Sequence, residues 1–203
     1  MFFKQIKYRG DNFSYVIADE NTKEAAVVDP SFNGDAITQL LENQDFRAKY
    51  IIDTHNHLDH VAGNEDIRSN FDAKVVAYKL SEIRKDVGVA DGDTMKVGEV
   101  SIKAMYTPGH TPDGICLLVN GKILTGDTLF VGECGRIDLP GGSAEDLYHS
   151  LFDKLMKLDD SIEVYPGHDY GAKPHSTIGE ERRTNYVLEK RTLEEFIEFM
   201  QLS

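Results

Sequence analysis

The segment YIIDTHNHLDHVAGN, residues 50–64, places three histidines and two aspartates within the eight positions 53–60, directly after the apolar run Tyr50–Ile52. His55, His57 and Asp59 stand at i, i+2 and i+4. In extended backbone such side chains share one side, and His60 is directed to the other. A helix would make an i, i+2 pair diverge, so this is not the helical arrangement of two histidines four apart. The reading is a loop at a strand end that presents two sets of nitrogen and oxygen donors, as a metal site requires.

Four residues cannot complete two sites, and further donors stand at other strand ends. His110 follows a strand in YTPGHTPDG, Asp127 in ILTGDTLF and His168 in EVYPGHDYG. Each lies where a strand gives way to a glycine-containing loop, and glycine lets the next side chain turn back over the strand end. The other two histidines do not share this placement. His149 lies inside a helical pattern and reads as a helix-surface residue, and His175, in GAKPHST, is loop-borne and a weaker pocket candidate.

Around these positions, short β-branched runs alternate with helical spacings. FSYVIAD (13–19), EAAVVDP (24–30), AKYIID (48–53) and AKVVAY (73–78) read as strands. GDAITQLLENQ (34–44) and VAGNEDIRSNF (61–71) read as helices. Residues 93–126 are mostly strand: TMKVG, VSIKAMYT, GICLLVN and KILTGD, broken by Gly, Pro and Asp. GGSAEDLYHSLFDKLMKL (141–158) predicts a helix with Ser143 as N-cap and Leu147, Leu151, Leu155 and Leu158 on one face. SIEVYPG is a last strand, and a helix over 192–202 begins with Thr192 and Glu195 as a capping box. The pattern indicates an α/β fold in a single domain, 1–203.

Composition narrows the function classes. The chain has 203 residues, 40% apolar, and a formal charge of −13. That charge disfavours nucleic acid and anionic membranes as partners. Two cysteines make no disulfide framework, and the N-terminal stretch lacks the unbroken apolar segment of a signal peptide, so a cytoplasmic location is expected.

THNHLDH, residues 54–60, fits the T-H-x-H-x-D-H motif of the metallo-β-lactamase superfamily, and TPGH, TGDTLF and YPGHDY resemble its later ligand motifs in the same order. The resemblance runs over roughly residues 12–188. It implies an αββα sandwich of two mixed sheets flanked by helices, with metals at one edge between the sheets. It further implies that His55, His57 and His110 hold one metal, that Asp59, His60 and His168 hold a second, and that Asp127 bridges them. Asp59 and Asp127 are then the carboxylates closest to the chemistry. TGDTLFVGECGRIDLPGGSAEDLYHSL and STIGEERRTN look like the glyoxalase II-like thioester hydrolases and the related persulfide dioxygenases.

The hydrolase reading expects two divalent metals, zinc or iron, activating a hydroxide that cleaves a hydroxyacyl thioester. The alternative expects one Fe(II) at His55, His110 and Asp127, a 2-His-1-carboxylate set, oxidising a thiol persulfide. Either substrate is a small thiol derivative, expected to be anionic. Arg136, Tyr170, Lys173 and Arg182 (with Arg183 beside it) are the cations and phenol nearest the motifs, and so the candidates to bind it. Cys134 reads as a structural cysteine rather than a reactive thiol. A homodimer is compatible with this reading.

Overall fold

In the computed structural model, which describes residues 1–7 and 10–202, two six-stranded mixed sheets pack face to face. The first sheet contains β1 (Phe2–Ile6), β2 (Ser14–Ala18), β3 (Glu24–Val28), β4 (Arg47–Ile52), β5 (Lys74–Tyr78) and β6 (Val87–Val89), in that spatial order. The first two pairings are antiparallel and the last three parallel. The second sheet uses β7 (Thr94–Val97), β8 (Val100–Tyr106), β9 (Ile115–Val119), β10 (Lys122–Gly126), β13 (Glu163–Pro166) and β14 (Ser176–Thr177). It is ordered β14-β13-β10-β9-β8-β7, with only the β10–β13 pair parallel. A small hairpin, β11 (Leu129–Phe130) with β12 (Glu133–Cys134), stands apart from both sheets.

The period-2 alternation of the strands accounts for the layers. Along β2, Tyr15 and Ile17 point between the sheets, where they meet Ile102, Leu117 and Leu124. Val16 and Ala18 point outward onto Ile37 and Leu41 of α1 (Gly34–Asn43) and Ile67 of α3 (Asn64–Phe71). The second sheet's outer face, with Ile123 and Val164, is covered by α4 (Ala144–Tyr148), α5 (Ile178–Thr184) and α6 (Leu193–Leu202). The result is the αββα sandwich.

The predicted helix over 141–158 forms with a change of pitch. α4 passes into a π-helical segment, His149–Lys154, and then a 3-10 turn, Leu155–Lys157. Leu147, Leu151 and Leu155 remain fully buried across these changes, and Ser143 caps the start by accepting from the Asp146 N–H. α6 opens with the reciprocal capping box: Thr192 N–H donates to Glu195, and Glu195 N–H donates to the Thr192 hydroxyl. Its Phe196 is fully buried.

One local expectation is corrected. The loop after β4 is not extended throughout, because Leu58–Val61 form a one-turn helix, α2, with His57 in extended geometry at its start. The switch from period 2 to helical spacing separates Asp59 from His55 and His57. The longer helix predicted from residue 61 begins instead at Asn64. Among the described residues, no helix is long and apolar enough to cross a membrane.

Candidate metal centre

Five strand ends meet at one edge of the sandwich. From the first sheet, β3 ends at Asp29 and β4 runs into Asp53–His60; from the second, β8, β10 and β13 lead to His110, Asp127 and His168. The two sheets are stitched there by backbone bonds from Ile115 N–H to the Thr54 carbonyl and from Phe13 N–H to the Gly167 carbonyl. Each donor therefore stands on a loop whose ends are held by a sheet.

The donor atoms converge in three overlapping groups, each within 4.8 Å: His55, His57 and His110; His55, His60 and Asp127; and Asp59, His60 and His168. His57 Nδ1 lies 3.1 Å from both His55 Nε2 and His110 Nε2. Asp127 lies between the sets, with Oδ1 3.4 Å from His60 Nε2 and Oδ2 3.5 Å from His110 Nε2 and 3.3 Å from His168 Nε2. Asp59, held by Asn12 through its carbonyl and Oδ2, groups with His60 and His168.

The far side of each ring decides which nitrogen faces inward. His110 Nδ1 donates to the Arg136 carbonyl at 2.7 Å, which leaves the Nε2 lone pair toward the centre. His60 Nδ1 meets Asp29 Oδ2 at 3.0 Å. His55 Nδ1 meets the Thr54 hydroxyl at 3.1 Å, and that hydroxyl donates to the same Asp29 oxygen at 2.7 Å. Asp29, buried and at φ 45°, thus orients one histidine directly and another through Thr54.

This arrangement fits a bound cation. His55 and His110 each direct an Nε2 lone pair at His57 Nδ1 from 3.1 Å, a convergence of nitrogens that a cation between them would satisfy. Tetrahedral metal–nitrogen bonds of ~2.0–2.1 Å place ligand nitrogens roughly 3.3 Å apart. Asp127 Oδ1 is buried without a hydrogen-bond partner among the described residues. The cradle is also closely fitted. A Cβ on Gly167 would lie 2.3 Å from Asp127 Oδ1, and one on Gly135 1.9 Å from the Asp127 carbonyl oxygen.

Electrostatics divides the cluster. Burial, and next the neighbouring histidines, hold His55 well below the ordinary histidine range, and burial lowers His57 as well. Burial alone would lower His60, but Asp127 and Asp29 outweigh it and raise it well above that range. His168 is also raised, by Asp127 against its burial. Burial alone would raise Asp127, yet His60 and His168 hold it well below the usual carboxylate range. The carboxylates thus favour positive charge on the His60 and His168 side of the cluster.

A cavity of about 710 Å³ opens from His110 and Asp127. Arg136 and Tyr170 line it, and Tyr170 stacks on His168 at 4.7 Å between ring centroids. Lys173 and Arg182 are not among its lining residues. Lys173 pairs with Glu180 at 2.6 Å. Arg182 donates to the Met156 and Leu158 carbonyls and pairs with Asp160, closing the end of the α4 segment. Arg183 does not line the cavity either. His149 is a surface residue paired with Asp153, and His175 stacks on Tyr165. Cys134 is buried, and burial raises its thiol far above the ordinary range, which makes it unreactive.

Sequence reasoning missed Asp29, Thr54 and Asn12 behind the donors, and Glu133, Tyr186 and Met200 on the cavity wall. Asp29 ends an apolar strand run in VVDP, the same signal that identified Asp127.

The chain matches the family model of the metallo-beta-lactamase superfamily over residues 8–168. It is 34% identical over 192 residues to the mitochondrial persulfide dioxygenase ETHE1 of Homo sapiens, covering 93% of this chain and 75% of that one. It is 39% identical over 172 residues to the cytoplasmic hydroxyacylglutathione hydrolase of Arabidopsis thaliana, covering 80% of this chain and 66% of that protein. Among solved structures it resembles ETHE1 from Myxococcus xanthus, with a TM-score of 0.94 and 35% identity over 99% of this chain and 90% of that one. With the family motif, the sandwich and the donor cluster in agreement, the chain belongs to the metallo-β-lactamase superfamily.

Proposed function

We propose that the protein is a metal-dependent thioester hydrolase of the glyoxalase II type, with His55, His57 and His110 holding one divalent metal, Asp59, His60 and His168 a second, and Asp127 between them. The observation that carries this reading is the convergence of both donor sets, each backed by its own partners. A pair of metals supplies water activated at neutral pH and a polarised carbonyl. The chain's own residues divide the remaining work. Asp59 is the carboxylate of the set with 40% of its side chain exposed, and Asn12 holds its Oδ2, so it can pass the released proton to solvent. Tyr170 and Arg136 flank the space the thiol arm occupies. That thiol leaves as thiolate without a general acid, because its own pKa is ~8.5.

A second reading, a persulfide dioxygenase with one iron at His55, His110 and Asp127, is favoured by the likeness to the two ETHE1 proteins. Metal analysis of anaerobically purified protein separates the two. Two metals per chain with cleavage of S-lactoylglutathione or another 2-hydroxyacyl thioester in the absence of O₂ supports the hydrolase. One iron with O₂ uptake on glutathione persulfide supports the dioxygenase. Asp127→Ala is expected to lose metal and abolish turnover; a fully active, metal-free variant would refute both.

A further inference from the structure

The outer cavity carries a charge that the chemistry at the donor cluster does not use. Glu133, at the start of β12 and paired with Phe130 across the hairpin, lines the cavity together with Met200 of α6. Its Oε1 accepts the Cys134 N–H at 3.1 Å, and its Oε2 accepts the Tyr186 hydroxyl at 2.5 Å. Both donors are neutral, and no ion pair reaches this carboxylate among the described residues. The charge is felt by its neighbour, since the hydrogen bond to Glu133 helps push the Tyr186 hydroxyl up to about 12. The other two charges of the outer wall cancel. Arg136 Nε and Nη2 meet the two carboxylate oxygens of Asp138 at 2.5 Å each. Leaving Asp127 to the donor cluster, Glu133 is therefore the one charge of the wall without an ion-pair partner among the described residues, in partly apolar surroundings. His110 and Asp127 line the same cavity as Glu133.

We propose that Glu133 is the specificity determinant for the thiol carrier, receiving a cationic group on its arm, so that the site selects a thiol bearing an ammonium over one bearing carboxylates. This rests on the reading of the cavity as a thiol-substrate site, and it runs against the anionic carrier expected from Arg136, Tyr170, Lys173 and Arg182. Tyr186 and the Cys134 N–H fix the carboxylate in place, and an ammonium donor would add a charge-assisted hydrogen bond on its cavity side.

Three thiols of similar length test the assignment: 2-(dimethylamino)ethanethiol, which is cationic, N-acetylcysteamine, which is neutral, and 3-mercaptopropionate, which is anionic. Calorimetric titration of each into the metal-loaded protein is expected to give tightest binding for the cation, by about tenfold over the neutral thiol, the size of one charge-assisted hydrogen bond. Glu133→Gln is expected to remove that advantage, and raising the salt concentration is expected to shrink it in the unaltered protein. Equal affinities, tightest binding of the anion, or a preference insensitive to salt would overturn the proposal, whether or not the variant folds. The same 2-hydroxyacyl group on the three thiols then tests the reaction separately. If none is hydrolysed the hydrolase reading fails, while the binding order still decides the role of Glu133. If they are, the preference should reside in KM.

Discussion

At the scale of single residues, Asp29 is the position on which both donor sets depend. Its Oδ2 accepts from the Thr54 hydroxyl and meets His60 Nδ1, and its Oδ1 accepts the Thr54 N–H. Partners of this kind are worth ~10–100-fold in metal affinity. Asp29→Asn is therefore expected to weaken both metals by roughly that factor, whereas Thr54→Val, which removes only the link to His55, should weaken the first set alone. Chelator competition on the two variants measures this; equal losses at both sites from Thr54→Val would contradict it. The donors also differ in protonation. Burial lowers His55 and His57, which favours their neutral, metal-binding form, whereas Asp127 and Asp29 raise His60 and Asp127 raises His168. A metal at Asp59, His60 and His168 competes with protons more strongly than one at the first set, so its affinity should fall first as pH drops, starting above the ordinary histidine pKa of ~6.5. Metal content after gel filtration at a series of pH values should show two steps, with the first step lost in His168→Ala. The seven donors were legible because His and Asp are conspicuous at the ends of apolar runs. Glu133 and Tyr186 were not, because 53 positions separate them and only folding brings their side chains together.

Among the elements, the turns after the strands matter more than the strands themselves. Gly167 joins β13 to His168, and its N–H donates to the Gly126 carbonyl at 2.7 Å, which keeps the turn against Asp127. A methyl group there would meet Asp127 Oδ1 at 2.3 Å and His60 Cε1 at 2.9 Å. Gly167→Ala is thus expected to leave the sandwich folded while displacing the Asp127 carboxylate. Metal content should fall by at least half at metal concentrations that fill the unaltered protein, with far-ultraviolet circular dichroism retained. Full occupancy in that variant would show that the turn can give way. The element scale also explains what the sequence concealed. β1, β6 and β14 are short edge strands with few fully buried side chains, so they lack the apolar runs that revealed β2, β3 and β10. The one-turn helix at Leu58–Val61 is too short to impose a periodicity, and period-2 reasoning consequently put Asp59 on the wrong side.

For the whole molecule, the donor cluster is a junction between layers. His55, His57, Asp59 and His60 hang from the first sheet; His110, Asp127 and His168 hang from the second. Each proposed metal draws ligands from both sheets, so a metal bound to the native fold also fastens the sandwich at that edge. At ~100 times its dissociation constant, a ligand that binds only the folded state adds about 2.7 kcal/mol. For a chain of this length 1 kcal/mol moves Tm by about 2–4 °C, so full removal of one metal should lower Tm by roughly 5–11 °C. The loss should not be uniform. The core between the sheets, with Tyr15, Ile17, Ile102 and Leu117, is packed independently of the donors and should keep its protection against hydrogen exchange. Amides at the junction, such as Ile115 bonded to the Thr54 carbonyl and Phe13 bonded to the Gly167 carbonyl, should exchange faster once the metals are gone. Thermal unfolding and exchange, measured before and after chelation, therefore test a single physical claim. If Tm falls but exchange rises evenly across both sheets, the metals stabilise the chain as a whole and do not act as a fastening between its layers.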